Sequence, residues 1–236
     1  MKNICECPKR KTVCSFILVV LVAVLFRSLL FEPFHIPSGS MKSTLLVGDY
    51  IFVNKYAYGY SRYSFPFAPK IFKGRIFYHR PRAGDVVVFR PVGKEGINYI
   101  KRIIGLPGDK VQLIDGDLYI NDKKMKYEKI TDFVDIDRND NKAVVPRYEE
   151  TIYNGRKYEI LKLDGHFNDN TNNTQMYTVP QDHFFVLGDN RDNSQDSRYI
   201  GFVPMENLVG RAEIVALSFK SWLPPKLRLD RILHKV

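Results

Sequence analysis

The chain has 236 residues, 44% of them hydrophobic and 13% aromatic, enough to bury a sizeable core and too apolar for a disordered chain. Its formal charge of +10 is spread unevenly: residues 50–83 carry no acid, whereas Asp and Glu outnumber Lys and Arg between Val111 and Asp182. All three cysteines, Cys5, Cys7 and Cys14, lie at the N-terminus, which excludes a disulfide from the body. No second Cys or His pair stands at a ligand spacing from Cys5 and Cys7, so neither a metal nor another cofactor is expected.

Residues 1–11 read as a short tail containing Lys9, Arg10 and Lys11. Residues 12–31 follow as a transmembrane anchor. Thr12 to Phe26 is uncharged and apolar, and Ser-Leu-Leu-Phe after Arg27 extends it to about the twenty residues that a bilayer core demands. Arg27 sits near the far end, where its stem can snorkel to the headgroups. The basic cluster before the apolar run predicts a cytosolic N-terminus, with everything after Phe31 outside. A cleavable secretory signal is the rival, because Ser38-Gly39-Ser40 imitates a small-x-small cleavage site. Glu32, Pro33, Phe34 and His35 intervene before that tripeptide, which favours an uncleaved anchor.

Beyond the anchor, short alternating or β-branched runs separated by Gly, Pro and Asn-Asp predict a mostly antiparallel β body. Strands are expected at Asp49–Asn54, Asp85–Phe89, Tyr99–Ile104, Lys110–Leu113, Leu118–Ile120, His183–Leu187 and Ala212–Leu217, with a hairpin turn at Asp115-Gly116. No long amphipathic helix is expected after residue 34. Residues 128–180, with Asn-rich stretches around a β-prone centre, read as an inserted β-rich cap between the two parts of the main domain, 32–127 and 181–236. The acid-free stretch interleaves seven Lys or Arg with eleven Phe or Tyr. That texture suits single-stranded nucleic acid or an anionic membrane surface. A nearby anchor favours the membrane, because it makes the local lipid concentration very high. An ordinary aromatic hairpin would account for part of the same pattern.

Three segments carry candidate chemistry. Ser40 follows an extended, proline-flanked segment, where a serine is either a nucleophile on a turn or a helix N-cap. Lys101 lies in the apolar run Tyr99–Gly105, and a desolvated lysine can lose enough pKa to act as a base at neutral pH. Periodicity leaves open whether Lys101 or Arg102 points inward. Between Gly188 and Tyr199 a dense run of Asp, Asn, Arg and Ser lacks the closing Glu of a calcium loop and reads as a bracing network.

Four stretches taken in order, IPSGSMKSTLLVGDY, GDVVVF, YIKRIIGLPGD and GDNRDNSQDSRYIGFVP, resemble the boxes of bacterial type I signal peptidases, which are serine-lysine proteases. The resemblance runs from about Phe31 to Asp109 and from Phe184 to about Ala212. It implies a signal peptidase-like fold and a single-pass protein of the bacterial inner (cell) membrane. The implied activity is cleavage of signal peptides from exported preproteins through an acyl-enzyme. By motif position, Ser40 is the nucleophile and Lys101 the general base. Ser38 and the Ser40 N–H would form the oxyanion hole, Ser194 would orient the Lys101 amine, and Asp196 and Arg198 would brace the loop. Ile36, Pro37 and Leu106 would wall the substrate pockets. Expected partners are preprotein signal peptides and membrane lipids, above all anionic phospholipid, with no nucleic acid and a monomeric protein. The alternatives are a related processing peptidase of a conjugation or pilus system, or a membrane-tethered β protein that binds lipid or nucleic acid. The span and the lack of a helix-turn-helix argue against a self-cleaving repressor.

Overall fold

The computed structural model describes residues 8–70, 72–94, 96–136, 142–163, 169–222 and 225–236. In chain order these form helix α1 (Pro8–Leu29) and strands β1 (Phe31–His35), β2 (Asp49–Asn54), β3 (Val86–Phe89), β4 (Tyr99–Gly105), β5 (Lys110–Ile114) and β6 (Asp117–Ile120). Next come β7 (Lys123–Lys124), β8 (Lys126–Lys129), β9 (Phe133–Ile136), β10 (Lys142–Val145), β11 (Arg147–Thr151) and β12 (Lys157–Leu161). The chain closes with helix α2 (Asp169–Asn172), β13 (Tyr177–Thr178), β14 (His183–Leu187), helix α3 (Ser197–Ile200), β15 (Val203–Pro204), β16 (Leu208–Trp222) and β17 (Pro225–Leu227).

The apolar run forms α1, and its Thr12–Leu29 part has a mean hydropathy of 2.4 and is almost wholly exposed, as a span without its bilayer would be. The helix stops two residues short of the expected end at Phe31. There the backbone turns to pair with β2, Phe31 opposite Asn54, and the Phe31 ring packs on Phe52 and Tyr56. Pairing satisfies the backbone groups that leave the helix, so the anchor runs directly into the body.

The main sheet is antiparallel, in the order β1-β2-β16-β3-β4-β14-β15, with β17 paired to β16. β3 is buried along its whole length because both faces are covered. Val86 and Val88 pack with Ile36, Met41 and Leu45, whereas Val87 and Phe89 pack with Ile103, Phe184 and Leu208. A continuous apolar run is what a strand buried on both faces requires. Asp115 and Gly116 have φ of 51° and 74°, the double positive φ of the expected turn, and join β5 to β6.

Residues 110–127 pair with the stretch expected as the insertion, 128–180, and not with the main sheet. β5, β6 and β7 pair with β13 in one small sheet, and β8 joins β11 and β12 in another, so residues from about 110 onward leave the main sheet. The Asn-rich stretches fall partly outside the described residues. In the acid-free stretch the bland reading holds in part. Tyr58 is core, Lys55 is buried against Glu32, and Arg75 donates to the carbonyls of Gly59 and Leu208. Phe67, fully exposed at 102%, and Phe77 instead face outward, and Lys70, Lys73, Arg80 and Arg82 are exposed.

Candidate active site

Ser40 lies on the segment that links β1 to β2. Met41 and Leu45 anchor this segment in the core, and Leu45 N–H donates to the Met41 carbonyl (2.8 Å). The Ser40 hydroxyl caps no helix. It lies 2.6 Å from Lys101 Nζ, and both side chains are buried. Register pairs Lys101 with Val87 and Arg102 with Val86, so the two cations leave opposite faces of β4, at 4% and 5% exposure. The question that periodicity left open has no single inward answer, because both faces of this strand are covered.

Burial pulls the Lys101 pKa down from 10.5 to about 8, while the nearby carboxylates of Asp196 and Asp189 push it up. Nζ also donates to the Ile100 carbonyl (2.9 Å). In the neutral amine that bond uses one hydrogen and leaves the lone pair free for the Ser40 hydroxyl. Ser38 Oγ is 3.4 Å from Ser40 Oγ. Among the described residues the Ser40 backbone N–H has no hydrogen-bond partner.

The 188–199 loop closes over this pair. Asp196 is fully buried, receives both Arg198 Nε (2.8 Å) and Nη2 (2.9 Å), and accepts from Gly188 N–H (3.0 Å). Ser194 Oγ is buried and makes no hydrogen bond, to Lys101 or to any other described residue. It packs over Gly188, where an added Cβ would meet it at 2.2 Å and the Ser40 carbonyl oxygen at 2.6 Å. Glycine here is a packing requirement that lets the loop approach Ser40. Asp189 forms a two-pronged pair with Arg102 (2.8 and 2.7 Å) and accepts from the Thr44 hydroxyl (2.5 Å).

Sequence reasoning gave Asn190 no separate role. Its side chain donates to the Gly39 carbonyl (3.1 Å) and its backbone N–H to the Ser40 carbonyl (3.1 Å), which fixes the peptide that carries Ser40. Its place in the 188–199 run was the only available signal. Arg191 reaches Glu150 of the inserted unit, and Leu161 N–H donates to the Asp189 carbonyl (2.8 Å), so the insertion grips the same loop.

A cleft of ≈ 400 Å³ opens at the Ser40–Lys101 pair, lined by residues 34–40, Asn98 to Lys101, Asn193 and Gln195. It is framed by two strand segments with free edges. β1 ends the sheet, and Tyr99–Lys101 have β3 on one side but no β14 partner on the other, since β14 pairs only from Arg102 onward. Ile36 and Pro37 line this cleft, whereas Leu106 packs into the core between the main sheet and the insertion.

The chain matches a family model described as signal peptidase, peptidase S26, over residues 9–217. It is 46% identical over 231 residues to signal peptidase I of Rickettsia typhi (strain ATCC VR-144 / Wilmington), covering 94% of this chain and 86% of the relative. To signal peptidase I of Rickettsia canadensis (strain McKiel) it is 48% identical over 231 residues, covering 94% and 85%. A solved structure of a signal peptidase I from Enterococcus faecalis V583 is 30% identical and aligns with 56% of this chain and 97% of its own, at a TM-score of 0.33.

Proposed function

This chain belongs to the signal peptidase family, peptidase S26, and is a serine endopeptidase of the signal peptidase I type; on that footing we propose that Ser40 is its nucleophile and Lys101 its general base. The observation that carries the assignment is the 2.6 Å approach of a buried, pKa-depressed amine to a serine hydroxyl in an open cleft. Neutral Lys101 takes the Ser40 proton as Oγ attacks the scissile carbonyl, and the resulting ammonium delivers that proton to the leaving amine. The Ser38 hydroxyl and the Ser40 N–H hold the oxyanion, since both lie beside the nucleophile and the N–H is uncommitted. Water, deprotonated by the same lysine, then releases the acyl-enzyme. A serine-lysine pair follows the logic of the triad without a histidine. Asp196 and Arg198 position the loop, and a rotation of Ser194 toward the amine would supply the orienting hydrogen bond.

Preprotein substrates follow from the family. An extended peptide adding to the free edges of β1 and β4 would place alternate side chains in the cleft, which suits small residues one and three positions before the cut. Incubating the purified chain with a preprotein and weighing the fragments tests both steps. Cleavage after a small residue, with a trapped acyl mass on Ser40, is the expected result. Cleavage with the acyl group on another serine would refute the assignment.

The anchor is proposed to keep its basic N-terminus in the cytosol and the β body outside, on the strength of Lys9, Arg10 and Lys11. The exposed rings of Phe67 and Phe77, together with Lys70, Lys73, Arg80 and Arg82, would dip into an anionic headgroup layer beside it. Vesicle flotation of the full chain would give the N-terminal helix all the credit, so residues 32–236 are compared with the same fragment carrying Phe67→Ser and Phe77→Ser. Equal failure of both to float would refute the aromatic contact.

A further inference from the structure

The end of α1 opens onto a second pocket, of ≈ 170 Å³, which the peptidase chemistry does not use. That volume is well above the roughly 15 Å³ that one ordered water needs. Three cations from three separate elements line it: Arg27 from the last turn of α1, Lys55 from the end of β2, and Arg90 after β3. Among the described residues that line the pocket, Glu32 is the one carboxylate that answers them. Glu32 accepts from Arg27 Nη2 (2.6 Å) with one oxygen and from Lys55 Nζ (2.6 Å) with the other, so both oxygens are already engaged. Arg90 has no acidic partner among the described residues. Its guanidinium lies 5.2 Å from the centre of the Tyr63 ring, and its Nε is buried with no hydrogen-bond acceptor.

A pocket with two more positive than negative groups and an unanswered buried donor is built for an anion. Lys55 shows the imbalance. Burial lowers its pKa, Glu32 opposes the change, and both Arg27 and Arg90 add to it.

Position narrows the kind of anion. The apolar part of α1 is 18 residues long, about 27 Å at 1.5 Å per residue, close to the ~30 Å hydrocarbon thickness. Arg27, in the last turn, therefore stands where headgroup phosphates begin. The Tyr60 hydroxyl donates to the Leu29 carbonyl (2.8 Å), which holds the neighbouring loop at the same level. Phe65, Pro66 and the fully exposed Phe67 form the rim of the pocket, an apolar lip of the kind that suits the acyl side of a lipid.

We propose that the pocket between Arg27, Lys55 and Arg90 binds one phosphate group, carried on a phospholipid headgroup. The proposal rests on α1 being the membrane anchor and is independent of the Ser40–Lys101 assignment. Bound there, a lipid would fix the height and tilt of the β body over the bilayer, with the cleft close by, since Phe34 and Asn98 line both cavities.

The test uses the full chain in an uncharged maltoside detergent, titrated with phosphatidylglycerol and followed by native mass spectrometry. Wild type should retain one phospholipid. Arg90→Gln should weaken retention about tenfold or more, because a charge-assisted contact is lost, and Arg90→Lys should restore part of it. Arg27→Gln, at a side chain 63% exposed and tolerant of change, should weaken it as well and serves as the second variant. All three should keep wild-type cleavage of a short soluble peptide. Inorganic phosphate should compete with the lipid, and a phosphate-free diacylglycerol should not be retained. Equal retention by wild type and both Gln variants would overturn the site, as would retention of diacylglycerol as good as that of phosphatidylglycerol. Binding of inorganic phosphate with no retention of the lipid would overturn the headgroup as its source.

Discussion

Replacing Lys101 with Met removes the amine and keeps a similar volume, and it should stabilise the protein while it abolishes cleavage. The fall in the Lys101 pKa from 10.5 to about 8 is set first by burial. At 1.36 kcal/mol per pH unit, that gap means the folded chain gives up about 3 kcal/mol by burying the ammonium at any pH below about 8. Between pH 8 and 10.5 the unfolded chain still holds a proton that the folded chain has released, so the penalty fades as pH rises and is gone above 10.5. Lys101→Met carries no such penalty. It loses the contacts with Ser40 Oγ and the Ile100 carbonyl, worth about 1 kcal/mol each. The variant should therefore gain about 1 kcal/mol over wild type at pH 7 and fall below it by pH 10. Urea denaturation of the detergent-solubilised chain, followed by circular dichroism at the two pH values, reads both quantities. Preprotein cleavage should drop at least about 100-fold. A variant equally destabilised at pH 7 and pH 10 would refute the burial argument, and one retaining more than about a tenth of wild-type cleavage would refute the role as base.

For the wild type, log kcat/KM should rise with unit slope up to about pH 8 and level off above it, since only the neutral amine accepts a proton; a plateau already reached at pH 6.5 would place the titrating base elsewhere. Ser38→Ala should lower kcat by roughly 100-fold with little change in KM, and an unchanged kcat would reduce Ser38 to a turn residue. Gly188→Ala would press a methyl group to 2.2 Å from Ser194 Oγ and 2.6 Å from the Ser40 carbonyl, so it should cost about 1–3 kcal/mol of stability and most of the turnover. Normal kcat in that variant would show that the loop is free to retreat from the nucleophile.

The elements that were legible in the sequence are those whose partners are local or whose burial is uniform. Asp49–Asn54 and His183–Leu187 fall where their apolar runs begin and end, and the Asp115-Gly116 turn is dictated by φ at two adjacent residues. The pairing of residues 110–129 was not legible, because they look like any other strands. What removes them from the main sheet is pairing with Tyr177–Thr178 and with Arg147–Thr151, which lie far along the chain. The direction of Lys101 was hidden for a different reason. Alternation identifies an inward face only when the other face is wet, and β4 has no wet face over Ile100–Gly105. The basic, aromatic look of residues 50–83 is ambiguous because composition cannot separate Arg75, which ties backbone carbonyls together inside the fold, from Arg80 at the surface.

The charge density of the 188–199 loop sits oddly beside an amine proposed to act as a neutral base, since Asp196 and Asp189 both raise the Lys101 pKa. Each of these carboxylates, however, has its own arginine. Asp196 is clamped by Arg198, and Asp189 by Arg102, while Glu150 behind them is clamped by Arg191 and accepts from the Tyr158 hydroxyl (2.6 Å). A carboxylate paired at hydrogen-bond distance presents a much weaker field to a third group than a bare one does, so burial outweighs the two acids and the amine stays near pH 8. Such pairs add little to stability in themselves, yet removal of one partner typically costs 3–5 kcal/mol, because it strands the other charge. The loop is thereby fixed as a unit: an arginine lost from it would expose the lysine to an unmatched carboxylate and raise its pKa, turning a structural defect into a loss of the proposed base. Two of these clamps reach into other elements, Arg102 in β4 and Glu150 in β11 of the insertion. Strands β11 and β12, which do not line the cleft, therefore bear on the proposed base through the electrostatics of a loop that they help to hold in place.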